Sequence, residues 1–183
     1  MNKNDHVIVA LFEDKVEAAA AIDRLKDWDR NTKEVTLGAI GLLHYEDGQV
    51  KTIIDTQAEQ GLKIGTIVGI IAGIFTGGIG LVGGAAAGGL LGSVTGAFFS
   101  RSLNLNQEEC SLLGMELQMG KAAVVVTLDE YELVPTRVTL ENVGGVVKTY
   151  HVPEEAANAA STLTEADLEM LHIARMNLYN HMM

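Results

Sequence analysis

The sequence predicts an α+β protein. Its core reads as ferredoxin-like, β-α-β-β-α-β followed by a further α-β, with an inserted glycine-zipper helical hairpin and a C-terminal amphipathic helix. Three observations predict this. Short apolar runs of strand length alternate with stretches of helical periodicity. Ten glycines stand on two ladders of step four: Gly61, Gly65, Gly69, Gly73 and Gly77, then Gly80, Gly84, Gly88, Gly92 and Gly96. No charged residue occurs in the 37 positions between Lys63 and Arg101.

The first strand is His6-Val7-Ile8-Val9-Ala10-Leu11-Phe12, short and rich in β-branched residues. Lys15 to Trp28 reads as a helix, with Val16, Ala19, Ile22 and Leu25 recurring every three residues. Asp29 to Glu34 is polar and reads as a loop, and Val35 to Tyr45 returns to strand character. Asp47-Gly48 is a two-residue hairpin signal, with Val50-Lys51-Thr52-Ile53-Ile54 as the return strand.

Beyond the glycine segment, Asn106 is placed to cap a helix, with Glu109 in the capping-box position. Leu112, Leu113, Met115, Leu117 and Met119 supply its apolar content, and Gly120 ends it. Ala122 to Leu128 is a continuous apolar run, the pattern of a strand covered on both faces. A helix around Pro135 to Val143 stops at Gly144-Gly145, and Val146 to Val152 is the last strand. Pro153 closes the core, and 154–162 is an alanine-rich polar linker. Thr164 and Asp167 then resemble a capping box, and Leu168, Leu171, Ile173 and Leu178 give the following helix an apolar face that must dock somewhere. The division is 1–60 and 102–153 for the two parts of the core, 61–101 for the hairpin, and 154–183 for the linker and docking helix.

Step four returns a residue to nearly the same side of an α-helix, so each ladder makes a groove without side chains. Such grooves let helix backbones approach closely. The arms, Gly61 to Gly77 and Gly80 to Gly96, would each be about 26 Å long as helices, against about 30 Å for a bilayer's hydrocarbon core. The register slips at the tip, Gly78-Ile79, where closely spaced glycines permit a turn. Twelve glycines lie between Ile64 and Ser100. At about 1 kcal/mol each in a water-exposed helix, they make an isolated hairpin unfavourable by on the order of 10 kcal/mol. Close packing, in a bilayer or an assembly, must offset this. Lys63 and Arg101 bracket the base, as in a hairpin entered from the cytoplasm, while the tip carries no polar residue.

Composition narrows the function classes. A net charge of -11, with no basic cluster, argues against nucleic acid as a partner. A single cysteine, Cys110, excludes an intrachain disulfide. The opening Met1-Asn2-Lys3-Asn4-Asp5-His6 lacks the basic and then apolar pattern of a signal peptide. Gly78-Ile79-Gly80-Leu81-Val82-Gly83 matches G-x-G-x-x-G, but glycines continue on both sides and no acid follows before Glu108. His6, His44, His151, His172 and His181 include no close pair and no cysteine at ligand spacing. Met170, His172, Met176, His181, Met182 and Met183 read as core methionines and a frayed terminus rather than a copper site. Acidic neighbours do not activate Cys110, and Glu108, Glu109 and Glu116 read as a solvated helix face. No catalytic, cofactor or metal residue is expected.

The opening strand His6 to Phe12, the alanine-rich helix, the double zipper Gly61 to Gly96 and the closing strand Val146-Val147-Lys148-Thr149-Tyr150 together resemble a bacterial family of unknown function, labelled general-stress or glycine-zipper membrane proteins. The resemblance covers Met1 to about Val152. It implies an α+β core with an inserted hairpin and a membrane association, and no catalytic residues. The tail after Pro153 is an addition to that pattern.

These readings lead to two expectations. The first is a non-enzymatic, oligomerising scaffold or membrane anchor, its zippers packing in or against a membrane and its tail helix docking on the core or on a protein partner. The second is a soluble homo-oligomer whose bundled hairpins enclose an apolar cavity for a lipid or quinone. Both place the protein in the cytoplasm, at the membrane face or in a free assembly.

Overall fold

The computed structural model describes residues 5–32, 35–47, 49–55 and 107–152. These residues form a mixed α/β unit around one five-stranded antiparallel sheet. The elements are β1 (His6–Phe12), α1 (Lys15–Asn31), β2 (Ile40–Glu46), β3 (Gln49–Asp55), α2 (Gln107–Gln118), β4 (Ala122–Leu128), a 3-10 turn (Glu130–Glu132), α3 (Leu133–Glu141) and β5 (Val146–His151). The expected hairpin, with its ladder Gly61 to Gly96 and tip Gly78-Ile79, lies outside the described residues, as does the docking helix with Leu168, Leu171, Ile173 and Leu178.

The strand order is β3-β2-β4-β1-β5. β4 is central, and every one of its residues is buried, as its unbroken apolar run requires. β3 lies at the edge beyond β2, not beside β1, and the strand on the free side of β1 is β5. The first six elements therefore do not by themselves close a split pair of β-α-β units. The sequence showed the tight Asp47-Gly48 hairpin, which keeps β3 on β2, but not where β5 would pair.

Alternation along the strands divides the sheet into two faces. Ile8, Ala10 and Phe12 of β1, Ile40 and Leu42 of β2, and Ala122, Val124, Val126 and Leu128 of β4 form one core with Ala18, Ala21, Ile22 and Leu25 of α1 and Leu140 of α3. Helix α1 uses positions 18, 21, 22 and 25, the spacing of one helical stripe. The three-residue spacing predicted Val16 and Ala19 on this stripe. They fall off it, and Val16 is 76% exposed. On the other face, α2 packs on β2 and β4 and buries Leu117 completely.

Helix α1 also runs past the expected loop start at Asp29. Arg30 Nε and Asn31 Nδ2 donate to the carbonyls of Lys26 and Asp27, which holds the last turn. The strand expected from Val35 begins only at Ile40. The amides before it take other acceptors: Thr36 N donates to Glu132 Oε1, Leu37 N to Asp29 Oδ1, and Ala39 N to the Thr127 hydroxyl.

Two helix ends follow their glycines. Gly120 and Gly144 have φ of +98° and +93°. Lys121 N bonds Glu116 O while Gly120 N bonds Leu117 O, and Gly145 N bonds Leu140 O while Gly144 N bonds Glu141 O. Both are the paired closing bonds of a Schellman motif.

Candidate functional site

Register assigns the two ends of the sheet. His6 stands opposite Leu128 and His151, and one pleat further in Ile40 stands opposite both Val126 and Asp55. β3 therefore finishes at the His6 end of the sheet, and so does β5. Helix α2 rises about 18 Å over its twelve residues and delivers the chain to Ala122, which stands opposite Phe12 at the other end. Its start thus lies back toward the His6 end. The described chain thus breaks off at Asp55 and at Val152, and resumes at Gln107, toward that side.

Among the described residues, polar groups collect in three places. The first is the Phe12 end. Lys121 Nζ lies 2.8 Å from Glu116 Oε2 and 3.3 Å from Glu13 Oε1, tying the close of α2 to the turn after β1. The bonds to Glu116 and then Glu13 raise the Lys121 pKa above its ordinary value.

The second is the turn end of the β2-β3 hairpin. His44 is 5% exposed, and its Nε2 lies 3.1 Å from both Lys15 Nζ and Glu46 Oε2. Its Nδ1 is buried without a hydrogen-bond partner. One ring nitrogen can serve only one of its neighbours at a time: a bare Nε2 accepts from Lys15, and a protonated Nε2 donates to Glu46. Lys51 Nζ binds Asp47 at 2.6 Å and sits 3.5 Å from Glu46. The Glu46 pKa is lowered, first by the bond to His44 and then by the charge of Lys51. Lys51 lowers that of Asp47 by hydrogen bond and charge. These groups pin the start of α1 to the hairpin.

The third is a carboxylate latch. Glu132 is fully buried. Its Oε1 accepts from Thr36 N at 2.6 Å and its Oε2 from Asp129 N at 2.9 Å. It fastens the segment before β2 to the turn after β4. The sequence signal was present in Asp129 followed three residues later by Glu132, a capping-box spacing that the sequence reading did not single out.

The other candidate residues are scattered. His6 and His151 sit opposite each other on β1 and β5, their rings edge to face at 5.0 Å, and His6 Nδ1 donates to Asp5 at 2.8 Å. Cys110 lies in the first turns of α2. Of the acids read as a solvated face, Glu108 is exposed, but Glu109 receives Lys148 from β5 at 3.2 Å and Glu116 receives Lys121. Among the described residues no group of three or more histidine, cysteine or acidic side chains is placed to hold a metal ion. Among the same residues, no helix is long and apolar enough to cross a membrane.

What the described surface does offer is apolar. Helix α2 exposes Leu112, Met115 and Met119, each more than half open to solvent. Their spacing of three and four places them on one side of the helix. Two of its acids, Glu109 and Glu116, are engaged with lysines. This face lies on the first described helix after residue 101.

No protein-family model, no curated protein and no solved structure matches the chain.

Proposed function

We propose that this protein is a non-enzymatic scaffold or membrane anchor. In this reading its α/β unit carries a glycine-zipper hairpin, residues 61–101, which packs with copies of itself in or against a membrane. The carrying observation is that the described chain breaks off at Asp55 and resumes at Gln107 toward one end of the sheet, on either side of the uncharged segment. A hairpin rooted this way projects as a single body without parting any pair of strands. The exposed Leu112, Met115 and Met119 continue its apolar surface onto the α/β unit.

The unit itself fits a ferredoxin-like arrangement, composed differently from the first six elements. In this assignment β1-α1-β2 and β4-α3-β5 are the two β-α-β pieces. Their strands interleave as β2-β4-β1-β5, and β3 is an added edge. β3, the hairpin and α2 then form one continuous insertion between the two pieces.

The apolar tip at Gly78-Ile79 favours one further form, a soluble ring in which the tips meet and enclose a lipid or quinone. Membrane flotation and native mass spectrometry test the proposal together. The full chain should float with vesicles of phosphatidylcholine, and a chain with 61–100 replaced by a short glycine-serine link should not. A detergent-free oligomer that carries apolar ligand and ignores vesicles would select the ring. A monomer indifferent to vesicles would refute both.

A further inference from the structure

Strands β1 and β5 bring two histidines together that stand 145 residues apart in the sequence: His6 is directly opposite His151. The Val152 amide donates to the Asp5 carbonyl at 2.6 Å, so 5 and 152 form a hydrogen-bonded pair. His6 and His151 are therefore the adjoining non-hydrogen-bonded pair, the kind whose side chains stand closest. Their ring centroids are 5.0 Å apart. By strand parity they share the face of Ile8 and Phe12, at the rim of that core. The His6 side chain is 13% exposed, and His151 is open to solvent.

Asp5 sets the chemistry of this pair. An ionised carboxylate only accepts, so its 2.8 Å contact with Nδ1 places the proton of neutral His6 on that nitrogen. The lone pair of the ring is then on Nε2. A carboxylate behind one ring nitrogen, with the lone pair on the other, is the arrangement that orients histidines bound to metal ions. We infer that His6 and His151 together bind one imidazole-seeking divalent cation of the zinc class. His6 uses Nε2, His151 a ring nitrogen, and water fills the remaining positions. Asp5 orients His6 and does not touch the ion.

The spacing of the rings fits. With each nitrogen about 2.0–2.1 Å from a shared ion, tetrahedral geometry puts the two ring centroids about 5.2 Å apart, and a square-planar right angle about 4.5 Å. The observed 5.0 Å is nearer the tetrahedral value, which favours Zn2+. His151 is exposed, so its ring has room to turn a nitrogen toward His6. Two protein donors fall short of the four that close a structural zinc site, so the ion exchanges with solvent. A net charge of -11 favours a cation over an anion here. Bound, the ion would clip the outer strand β5 to β1. The inference stands whether or not the hairpin enters a bilayer.

An edge-to-face pair of rings is also stable without an ion, and the test separates the two cases. Zn2+ alone is added to the full chain and followed by 15N NMR of the histidine ring nitrogens. One equivalent should move the His6 and His151 signals together, most of all His6 Nε2. His151→Gln should weaken Zn2+ binding by about tenfold or more, and so should Asp5→Asn, which keeps both imidazoles. His172→Gln with His181→Gln should leave the binding unchanged. Circular dichroism checks that each variant is folded. Zn2+ that moves neither ring would overturn the inference. So would saturation of His44, His172 or His181 before the pair, a His6 shift of equal size in His151→Gln, or undiminished binding in Asp5→Asn.

Discussion

Removing the carboxylate of Glu132 should cost more stability than any other single polar change in the described part of the molecule. The side chain is wholly buried and accepts two backbone amides, from Thr36 and from Asp129, whose parent segments lie far apart in sequence. Glu132→Ala leaves both amides without this acceptor. A buried donor stripped of its partner costs about 1–3 kcal/mol, so two cost about 2–6 kcal/mol. A domain of this size has a total stability of about 5–15 kcal/mol. Glu132→Gln retains one carbonyl oxygen, while its amide nitrogen turns a donor toward the second backbone donor, so about half the loss is expected. Arg137→Ala, which breaks the exposed pair of Arg137 and Glu141, is the control and should change stability by less than about 1 kcal/mol. Urea unfolding measures all three. Hydrogen exchange locates the damage, because the amides of Thr36 and Asp129 should speed up before that of Leu37, which Asp29 holds independently. A Glu132→Ala protein within about 1 kcal/mol of the parent, or a Gln variant weaker than the Ala variant, would refute the reasoning.

Adjacent glycines at the end of α3 should fail for different reasons. At Gly145 an added Cβ would lie 2.8 Å from Phe12 Cζ and 3.0 Å from Leu140 O, so Gly145→Ala should lose about 1–3 kcal/mol through overpacking. At Gly144 the same atom meets nothing within 4 Å, and only the φ of +93° resists, so Gly144→Ala should lose about 1 kcal/mol by thermal unfolding. Asp14 accepts from the amides of Val16 and Glu17 at 2.8 Å, and Asp14→Ala should remove about 1 kcal/mol of helix-capping stability in urea. Glu46 and Asp47 have folded pKa values below their ordinary 4.5 and 3.8. Their contribution is therefore present above those values and is lost as pH falls through the lowered ones. Carboxyl titration by NMR should show both midpoints rising in Lys51→Met, and an unmoved Asp47 would contradict the pairing.

Much of the sheet was legible because its strands differ in composition. Ala122 to Leu128 carries no polar residue except Thr127, and it is the fully buried centre. Gly120, Gly144 and Asp47 marked their boundaries through positive φ, a backbone conformation that most residues resist. Partnership was not legible. Nothing in Val146 to His151 says that it pairs with β1, because register and neighbour depend on the whole set of strands. The segment before β2 was misread for a related reason. Val35 and Leu37 have strand character, but the carboxylates of Glu132 and Asp29, 96 and 8 residues away in sequence, take the amides of Thr36 and Leu37. In α1 Ile22 and Leu25 face the core as expected, but Val16 and Ala19 do not, because alanine serves equally well inside or outside, so Ala18 and Ala21 could not be told from Ala19. The hairpin and the docking helix rest on residues outside the described part, and their roles remain proposals.

The polar chemistry of the described residues and the apolar features of the sequence divide by location. Glu132, Lys121 and the Lys15-His44-Glu46 group each join two segments of the α/β unit, and each is used up in doing so. A carboxylate that holds two amides, or a lysine that holds two carboxylates, is poorly placed to bind and release anything else. The apolar features left over are the ladder from Gly61 to Gly96, the open side of α2 and the apolar side of the tail. Helices with bare glycine stripes gain by contact with other backbones, and amphipathic helices gain by contact with apolar surface. Neither gains by binding a polar substrate. The exposed apolar side of α2 is therefore suited to association, the step on which the proposed scaffold or anchor rests.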